Sequence, residues 1–273
     1  MFDKQGTPRI LEFNADTPTS LLEAAVIQWQ WKEACFPKAD QYNGIHERLV
    51  QSREDMFEKG SILHLAGALD NAEDVGNLQY LASTAREAGL STRVIDINAL
   101  NLQDGVFYDP SGEKVVGCFL LFPLYWMVDE CTVGCMADVQ WVEPVWKLVM
   151  SNKAILTTLF ELFPDSPYVL PAFLSRPQNG GYCKKPVYAR EGHNVSVLDI
   201  RNWEERVLVP ETEGDYNRGA YIYQQYVEPT VYDGRYPIIG SWIIGGEAGG
   251  IGIRENCTEI TDNLSAFVPH IIG

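Results

Sequence analysis

A strand–helix–strand signature between residues 62 and 97 constrains the fold more than any other stretch of this chain. Residues 62–66 read as a strand, 74–88 as a helix closed by Gly89, and 92–97 as a returning strand. A βαβ unit of this kind builds half of a nucleotide-binding sheet. Gly67 is followed by Ala-Leu-Asp-Asn-Ala-Glu-Asp before Gly76, so the Gly-x-Gly-x-x-Gly phosphate turn is missing and a dinucleotide oxidoreductase is a weak rival. At 273 residues the chain has room for one large domain or two small ones.

The flanking patterns differ on either side of this unit. Before it, 20–36 has helical character, with Leu21, Leu22, Ala25, Ile27, Trp29 and Trp31 as the expected buried stripe and Ser20 or Thr19 as cap, and 46–59 follows as a polar helix. After it come a polar turn around Asp109-Pro110-Ser111-Gly112, a buried strand over 115–122 and an amphipathic helical region over 143–163. From residue 182 the pattern is mostly β: 182–187, 195–198, 221–227, 237–244 and 248–254, with Gly245-Gly246-Glu247 as a hairpin tip. The expected organisation is an N-terminal part over 1–60, an inserted α/β lobe over 61–140 and a mixed-sheet lobe over 141–273, an α/β (α+β) fold class.

A net charge of −16 argues against a nucleic-acid partner and is favourable to a cationic one such as an amine; ordinary acidic solubility explains it too. The six cysteines (Cys35, Cys118, Cys131, Cys135, Cys183, Cys257) lack Cys-x-x-Cys spacing and no signal peptide opens the chain, which predicts a cytoplasmic protein with reduced thiols. Cys131 and Cys135, one helical turn apart, have no histidine near them in sequence and read as two half-buried thiols rather than a zinc site. The longest apolar run, over 115–127, is too short to span a membrane and contains Pro123.

Four places carry candidate chemistry. In an extended run Glu12 and Asn14 share one face and present two oxygens side by side, a pattern that suits Mg²⁺ and equally a strand with a solvated polar face. Lys185 stands in an apolar strand, where an ammonium is costly unless it meets an anion, and Lys184 faces the other way. Lys153 follows Ser-Asn at a helix start, and Arg190-Glu191-Gly192-His193 bends between two strands as a loop over phosphate would, or as a plain solvated hairpin would.

These motifs resemble, in order, the synthetase domain of glutathionylspermidine synthase, an ATP-grasp family, and are closest to its stand-alone members: Leu11 to Glu23, Ser151 to Leu156, Cys183-Lys184-Lys185-Pro186 with Arg190-Glu191-Gly192, and Gly252-Ile253-Arg254-Glu255. The resemblance implies an ATP-grasp-like lobe with an inserted substrate-binding lobe. It implies Glu12 and Asn14 as Mg²⁺ ligands; Lys153, Lys185, Gly192 and the hinge residues Gln225 and Val227 as the ATP site; and Arg190 and Arg254 as catalytic cations. Thr17 and Thr19 stand where the family has serines that contact a peptide substrate, and Glu73 and Asp74 match an acidic pair near the amine, though both also serve as first-turn acids of their helix. The implied activity is ATP- and Mg²⁺-dependent ligation of a small peptide-like acid, such as glutathione, to an amine, such as a polyamine. The family's preceding Arg-x-Asp strand has no counterpart, since only Met1 and Phe2 come before the turn at Asp3-Lys4-Gln5-Gly6; the chain reads as truncated at its start. A lysine that follows the arginine strand in the family is also missing near Asn263. A non-catalytic nucleotide- or ligand-binding module is therefore the alternative, and the sequence does not indicate an oligomeric state.

Overall fold

The computed structural model describes residues 1–17, 19–130, 138–217 and 219–273, with 128–130 described by their backbone alone. The expectation for Cys131 and Cys135 lies outside the described residues. In chain order the elements are a π-helical turn at Glu23–Ile27, α1 (Gln28–Cys35), α2 (Ile45–Met56), β1 (Ile62–Gly67), α3 (Ala72–Glu87), β2 (Ser91–Asp96), β3 (Asn101–Gln103), β4 (Val106–Tyr108), β5 (Gly117–Leu121), α4 (Leu124–Glu130) and β6 (Gln140–Val142). A short 3-10 turn at Val145–Val149 and α5 (Ile155–Leu162) lead into β7 (Ala172–Phe173), β8 (Gly180–Pro186), β9 (Ser196–Arg201), β10 (Glu204–Val209), β11 (Tyr221–Gln225), β12 (Tyr236–Ile244), β13 (Glu247–Asn256) and β14 (Ala266–Val268). The class is mixed α/β, as expected, with one parallel and one antiparallel sheet as its two larger sheets.

The chain packs as two compact units: one combines Met1–Asn14, Val149–Ile239 and Ile253–Val268, the other Ala15–Leu148, Gly240–Gly252 and Pro269–Gly273. The second unit holds the parallel sheet, ordered β2-β1-β5-β6. Its two central strands, β1 and β5, are nearly continuous apolar runs because both of their faces are covered, whereas the edge strand β2 is largely polar; Leu63, Leu65, Phe119 and Leu120 are each at most 1% exposed. Asn71 caps α3 by accepting from the amides of Glu73 and Asp74, and Gly89 ends the helical segment at φ +87°, a conformation that costs glycine least. Ala66, Cys118, Leu120, Phe107, Val115 and Trp141 form one apolar cluster. Burial pushes the Cys118 thiol up to about 12, which keeps it neutral. Beside this cluster His64 lies 3.3 Å from Asp109, which also takes hydrogen bonds from Ser111, the Glu113 amide and Arg93.

The first unit is built on the antiparallel sheet β10-β9-β8-β11-β7. α5 lies against it through Leu156, which packs with Ala172 and Ile222. The far end of β13 pairs with β14, Ile253 opposite Val268 and Arg254 opposite Phe267.

Three expectations need correction. Residues 9–14 form no ladder strand; Ile10 makes a single parallel bridge to Val169, because side chains take the carbonyls that a neighbouring strand would otherwise use: Gln224 donates to the Ile10 oxygen and Lys185 to the Leu11 oxygen. The helix after Leu21 buries Leu21, Ala24, Ala25, Gln28 and Lys32, leaving Ile27 and Trp29 exposed. The buried positions recur at three- and four-residue steps, the stripe of one helical face, whereas 25, 27, 29 and 31 step by two and cannot share a face; Gln28 lies on the buried stripe and donates to the Ile251 oxygen. No side-chain hydrogen bond caps the helical turn at 23–27 or α1, so neither Ser20 nor Thr19 acts as the expected cap.

Candidate functional site

Glu12, Asn14, Lys153, Lys185, Arg190, Gly192, Gln225, Val227 and Arg254 all belong to the first unit, although up to 242 residues separate them along the chain. Thr17, Thr19, Glu73 and Asp74 belong to the second: Thr17 is half-buried, Thr19 and Glu73 are exposed, and Asp74 is half-buried with its carboxyl pushed up by burial and by the charges of Glu73 and Asp70.

β8 separates its two lysines by face, as alternation requires. Lys185, 7% exposed, donates to the Leu11 carbonyl at 3.0 Å and to Gln224 Oε1 at 2.8 Å. Lys184 turns the other way, its ammonium 4.3 Å over the Tyr221 ring and 3.8 Å from the Glu211 carboxylate. The amide of Lys153 is anchored to the Val187 carbonyl just before α5 begins, which carries its side chain to the Lys185 face. Its Nζ donates to the Ala189 carbonyl at 2.6 Å and lies 3.4 Å from Glu12 Oε2. Burial lowers the proton affinity of Lys153 most, the neighbouring charges of Lys185 and Arg190 lower it further, and Glu12 partly offsets both. Two cations thus converge on the short segment that carries Glu12.

Glu12 and Asn14 do share a face: Asn14 Nδ2 donates to Glu12 Oε1 at 3.1 Å. Its surroundings tend to raise the Glu12 carboxyl, yet the Lys153 and Lys185 charges and the Asn14 hydrogen bond together hold it below the ordinary value. One carboxylate beside one amide oxygen fits a Mg²⁺ that keeps several waters and takes its remaining oxygens from phosphates. Asn14 would then have to present Oδ1 in place of its NH2, and Lys153 would have to leave the carboxylate. Among the described residues no group of three or more His, Cys, Asp or Glu side chains is placed to hold a metal by itself. Asp3 does not take part: its carboxylate accepts from the Gln5 and Thr7 amides and from Arg9 Nε, and stabilises the N-terminal turn.

The loop at 190–194 is held on both sides. Glu191, Gly192 and Asn194 all adopt positive φ. A Cβ at Gly192 would overlap the Thr261 carbonyl oxygen, so only glycine permits the loop to approach that segment. Asn263 donates to Glu191, Thr212 to the Gly192 carbonyl, and Asn194 accepts from the Tyr216 amide. Arg190 places its charge near Lys153. Arg254 donates through Nη2 to the Asp262 carbonyl at 2.7 Å and reaches the Ser265 carbonyl at 3.4 Å, so in this conformation its guanidinium organises the loop between β13 and β14. At the end of β11 the Gln225 amide donates to the Pro171 carbonyl and its side chain is exposed; Val227 comes two residues later, half-buried.

Sequence reasoning missed three residues here. Gln224, 1% exposed, bridges Lys185 to the Ile10 carbonyl. Cys183 lies on the Lys185 face, its thiol raised by burial and subject to the charges of Lys185, Glu259, Lys153 and Glu12. Tyr226 donates to Glu259 at 2.9 Å, and burial followed by that carboxylate raises its hydroxyl well above the usual tyrosine range. The β8–β11 register puts Gln224 on the Lys185 face, but a buried glutamine carries no signal in the sequence until its partner is known.

Among known proteins, a provisionally named acid–amine ligase of Haemophilus influenzae is 37% identical over 96% of this chain and 70% of its own length. Trypanothione synthetase of Crithidia fasciculata is 27% identical over 95% of this chain, and the bifunctional glutathionylspermidine synthetase/amidase of Escherichia coli 24% over 99%. The chain spans only 44% and 48% of those two longer relatives. In fold it is similar to a glutathione synthetase-like effector of Globodera pallida in its apoform, with a TM-score of 0.55 at 13% identity, covering 96% of this chain and 71% of that one. With a family profile matching residues 1–273 throughout, the chain belongs to the glutathionylspermidine synthase preATP-grasp family.

Proposed function

We propose that this protein is an ATP-dependent acid–amine ligase that joins a small peptide-like carboxylate to a di- or polyamine. The observation that carries this reading is the convergence of Lys153 and Lys185 on the segment holding Glu12 and Asn14, within one compact unit. Two largely enclosed ammonium groups suit the β- and γ-phosphates of ATP. Mg²⁺, held by Glu12 and Asn14, would supply charge neutralisation at the phosphates.

In the proposed reaction the acid's carboxylate oxygen attacks the γ-phosphorus, ADP leaves, and an acyl phosphate forms. Lys153, Lys185 and Arg190 hold the charge that spreads over the transferring oxygens. A neutral amine then attacks the acyl carbon, inorganic phosphate leaves, and the amine's proton passes to a base, for which Glu73 and Asp74 are the candidates. The raised Asp74 carboxyl favours that role, and the net charge of −16 favours a cationic acceptor. Thr17 and Thr19 are the proposed contacts to the acid, Gln225 and Val227 the adenine hinge, and Arg254 a cation for the acyl phosphate once it exchanges its present carbonyl partners. A cytoplasmic setting fits this chemistry; among the described residues no helix is long and apolar enough to cross a membrane.

A second reading, a nucleotide- or ligand-binding module without ligase activity, draws on the metal site: one carboxylate and one amide are few ligands, and the carboxylate is already paired with Lys153. Calorimetric titration with Mg·ATP, run beside an assay of phosphate release with glutathione and spermidine as probes, separates the two. ATP binding with amine-dependent phosphate release supports the ligase. ATP binding with no release under any acid–amine pair overturns it in favour of the module.

A further inference from the structure

We infer that Gln224 is the positioning residue for Lys185, holding its ammonium against the Ile10–Glu12 segment in register for a phosphate; this rests on the reading of Lys185 as a phosphate contact. Gln224 lies in β11 directly beside β8, opposite Cys183, so its side chain enters on the Lys185 face of the sheet. It is 1% exposed, and both ends of its amide are used: Oε1 accepts from Lys185 Nζ at 2.8 Å and Nε2 donates to the Ile10 carbonyl at 2.9 Å. Lys185 donates to the next carbonyl along, that of Leu11, at 3.0 Å. The three bonds close a ring that includes the ammonium, the carboxamide and two successive backbone carbonyls.

That ring has a chemical logic. A lysine side chain has four rotatable bonds and no preferred aim, so a buried ammonium is directed only by its acceptors. A carboxamide is a neutral acceptor: it orients the ammonium while leaving its full charge for an anion, whereas a carboxylate at the same place would neutralise it. Its second, donating end is what a hydroxyl or a carboxylate could not supply to the Ile10 carbonyl at that reach. The same side chain therefore fixes Lys185 relative to the backbone that carries Glu12, two residues beyond Ile10. Position 224 needs glutamine for its length, its neutrality and its two ends together.

The test is a double-mutant cycle on Mg·ATP affinity with Gln224→Met and Lys185→Met, which keep side-chain length, together with the acetylation rate of Lys185 by acetic anhydride without nucleotide, read by peptide mass spectrometry. Gln224→Met is expected to weaken Mg·ATP on the order of tenfold in the presence of Lys185 and to add less than about twofold in the Lys185→Met background. Lys185 should be acetylated several-fold faster in Gln224→Met. In Gln224→Glu, the second variant, it should stay slow to acetylate while Mg·ATP still weakens, because the ammonium is held but neutralised. Additive losses in the cycle, or an unchanged acetylation rate in Gln224→Met, overturn the positioning role while leaving Lys185 as a phosphate contact. If Lys185→Met alone leaves Mg·ATP affinity intact, the phosphate reading of Lys185 fails, and the inference with it.

Discussion

Replacing Lys185 with alanine is the most direct challenge to the proposed nucleotide site, because its neighbour in the chain is a built-in control. An ammonium–phosphate hydrogen bond in a largely enclosed site is worth about 1.5–3 kcal/mol, so Lys185→Ala should weaken Mg·ATP by about 10- to 150-fold. Lys184 points to the opposite face, over Tyr221 and toward Glu211, and its side chain is 25% exposed. Lys184→Ala removes only a screened charge across the sheet and should change affinity by less than about threefold. The two variants also differ in stability. Lys185→Ala leaves the Leu11 carbonyl and Gln224 Oε1 without their donor, at about 1–3 kcal/mol, whereas the partly exposed, loosely spaced pair at Lys184 contributes about 0–1 kcal/mol. Calorimetric titration at a temperature where both variants are folded by circular dichroism reads the affinity, and a urea melt reads the stability. Equal losses of affinity from both lysines would refute the assignment of faces to function.

Gly192→Ala forces a side chain into a φ of +71° and against the Thr261 carbonyl, so the loop should detach from 260–263, and limited proteolysis should cut between 190 and 194 faster than in the parent protein. Leu65→Ala, at a fully buried position of the parallel sheet, should lower the free energy of unfolding by about 2–5 kcal/mol in denaturant melts; a cost under about 1 kcal/mol would show that the β1 core is loosely packed. Asp109, although burial alone would raise it, is held far below its ordinary value of 3.8, first by Ser111 and then by Glu113, Arg93 and His64. Its stabilising contribution is therefore complete above pH 3.8 and is lost as pH falls below that value toward the lowered one, so Asp109→Asn should flatten the acid limb of a stability-against-pH curve.

The parallel βαβ unit was legible because three local signals agree there: strand-length runs at 62–66 and 92–97, a helical stretch between them, and Gly89 closing the helix. Expected and observed boundaries of β1, α3 and β2 differ by no more than two residues. The segregation of Lys184 from Lys185 was equally legible, since it stems from strand alternation alone. Longer-range features were not. Residues 9–14 look like a strand because their polar and apolar side chains alternate, but whether an extended segment gains a ladder depends on what reaches its carbonyls, here Lys185 and Gln224 from far along the chain. The buried face of the first helix was missed because two of its positions, Gln28 and Lys32, are polar, while the apolar Ile27 and Trp29 lie off the three- and four-residue stripe of Leu21, Ala24, Ala25, Gln28 and Lys32. β10 was missed because Glu204, Glu205 and Arg206 open it at the exposed edge of the sheet, where burial imposes no apolar alternation. The resemblance makes Arg254 a catalytic cation, yet here its Nε and Nη2 donate to the Asp262 and Ser265 carbonyls, contacts that no local pattern announces.

The hydrogen bonds from Lys185 and Gln224 to residues 10 and 11 join positions 174 and 214 apart in the chain. In equilibrium terms that distance is cheap, since closure entropy grows only with the logarithm of loop length. In time it is long. At about 5–20 residues per second of synthesis, Ile10 waits roughly 10–40 seconds for Gln224 to be made, whereas the four strands of the parallel sheet, β1, β2, β5 and β6, all come from residues 62–142. The carbonyls of Ile10 and Leu11 are among the first groups of the site to be synthesised and among the last to find their donors. Nascent chains arrested before residue 185 should thus hold a formed parallel sheet beside an N-terminal segment that is still hydrated and open to a chaperone or a protease.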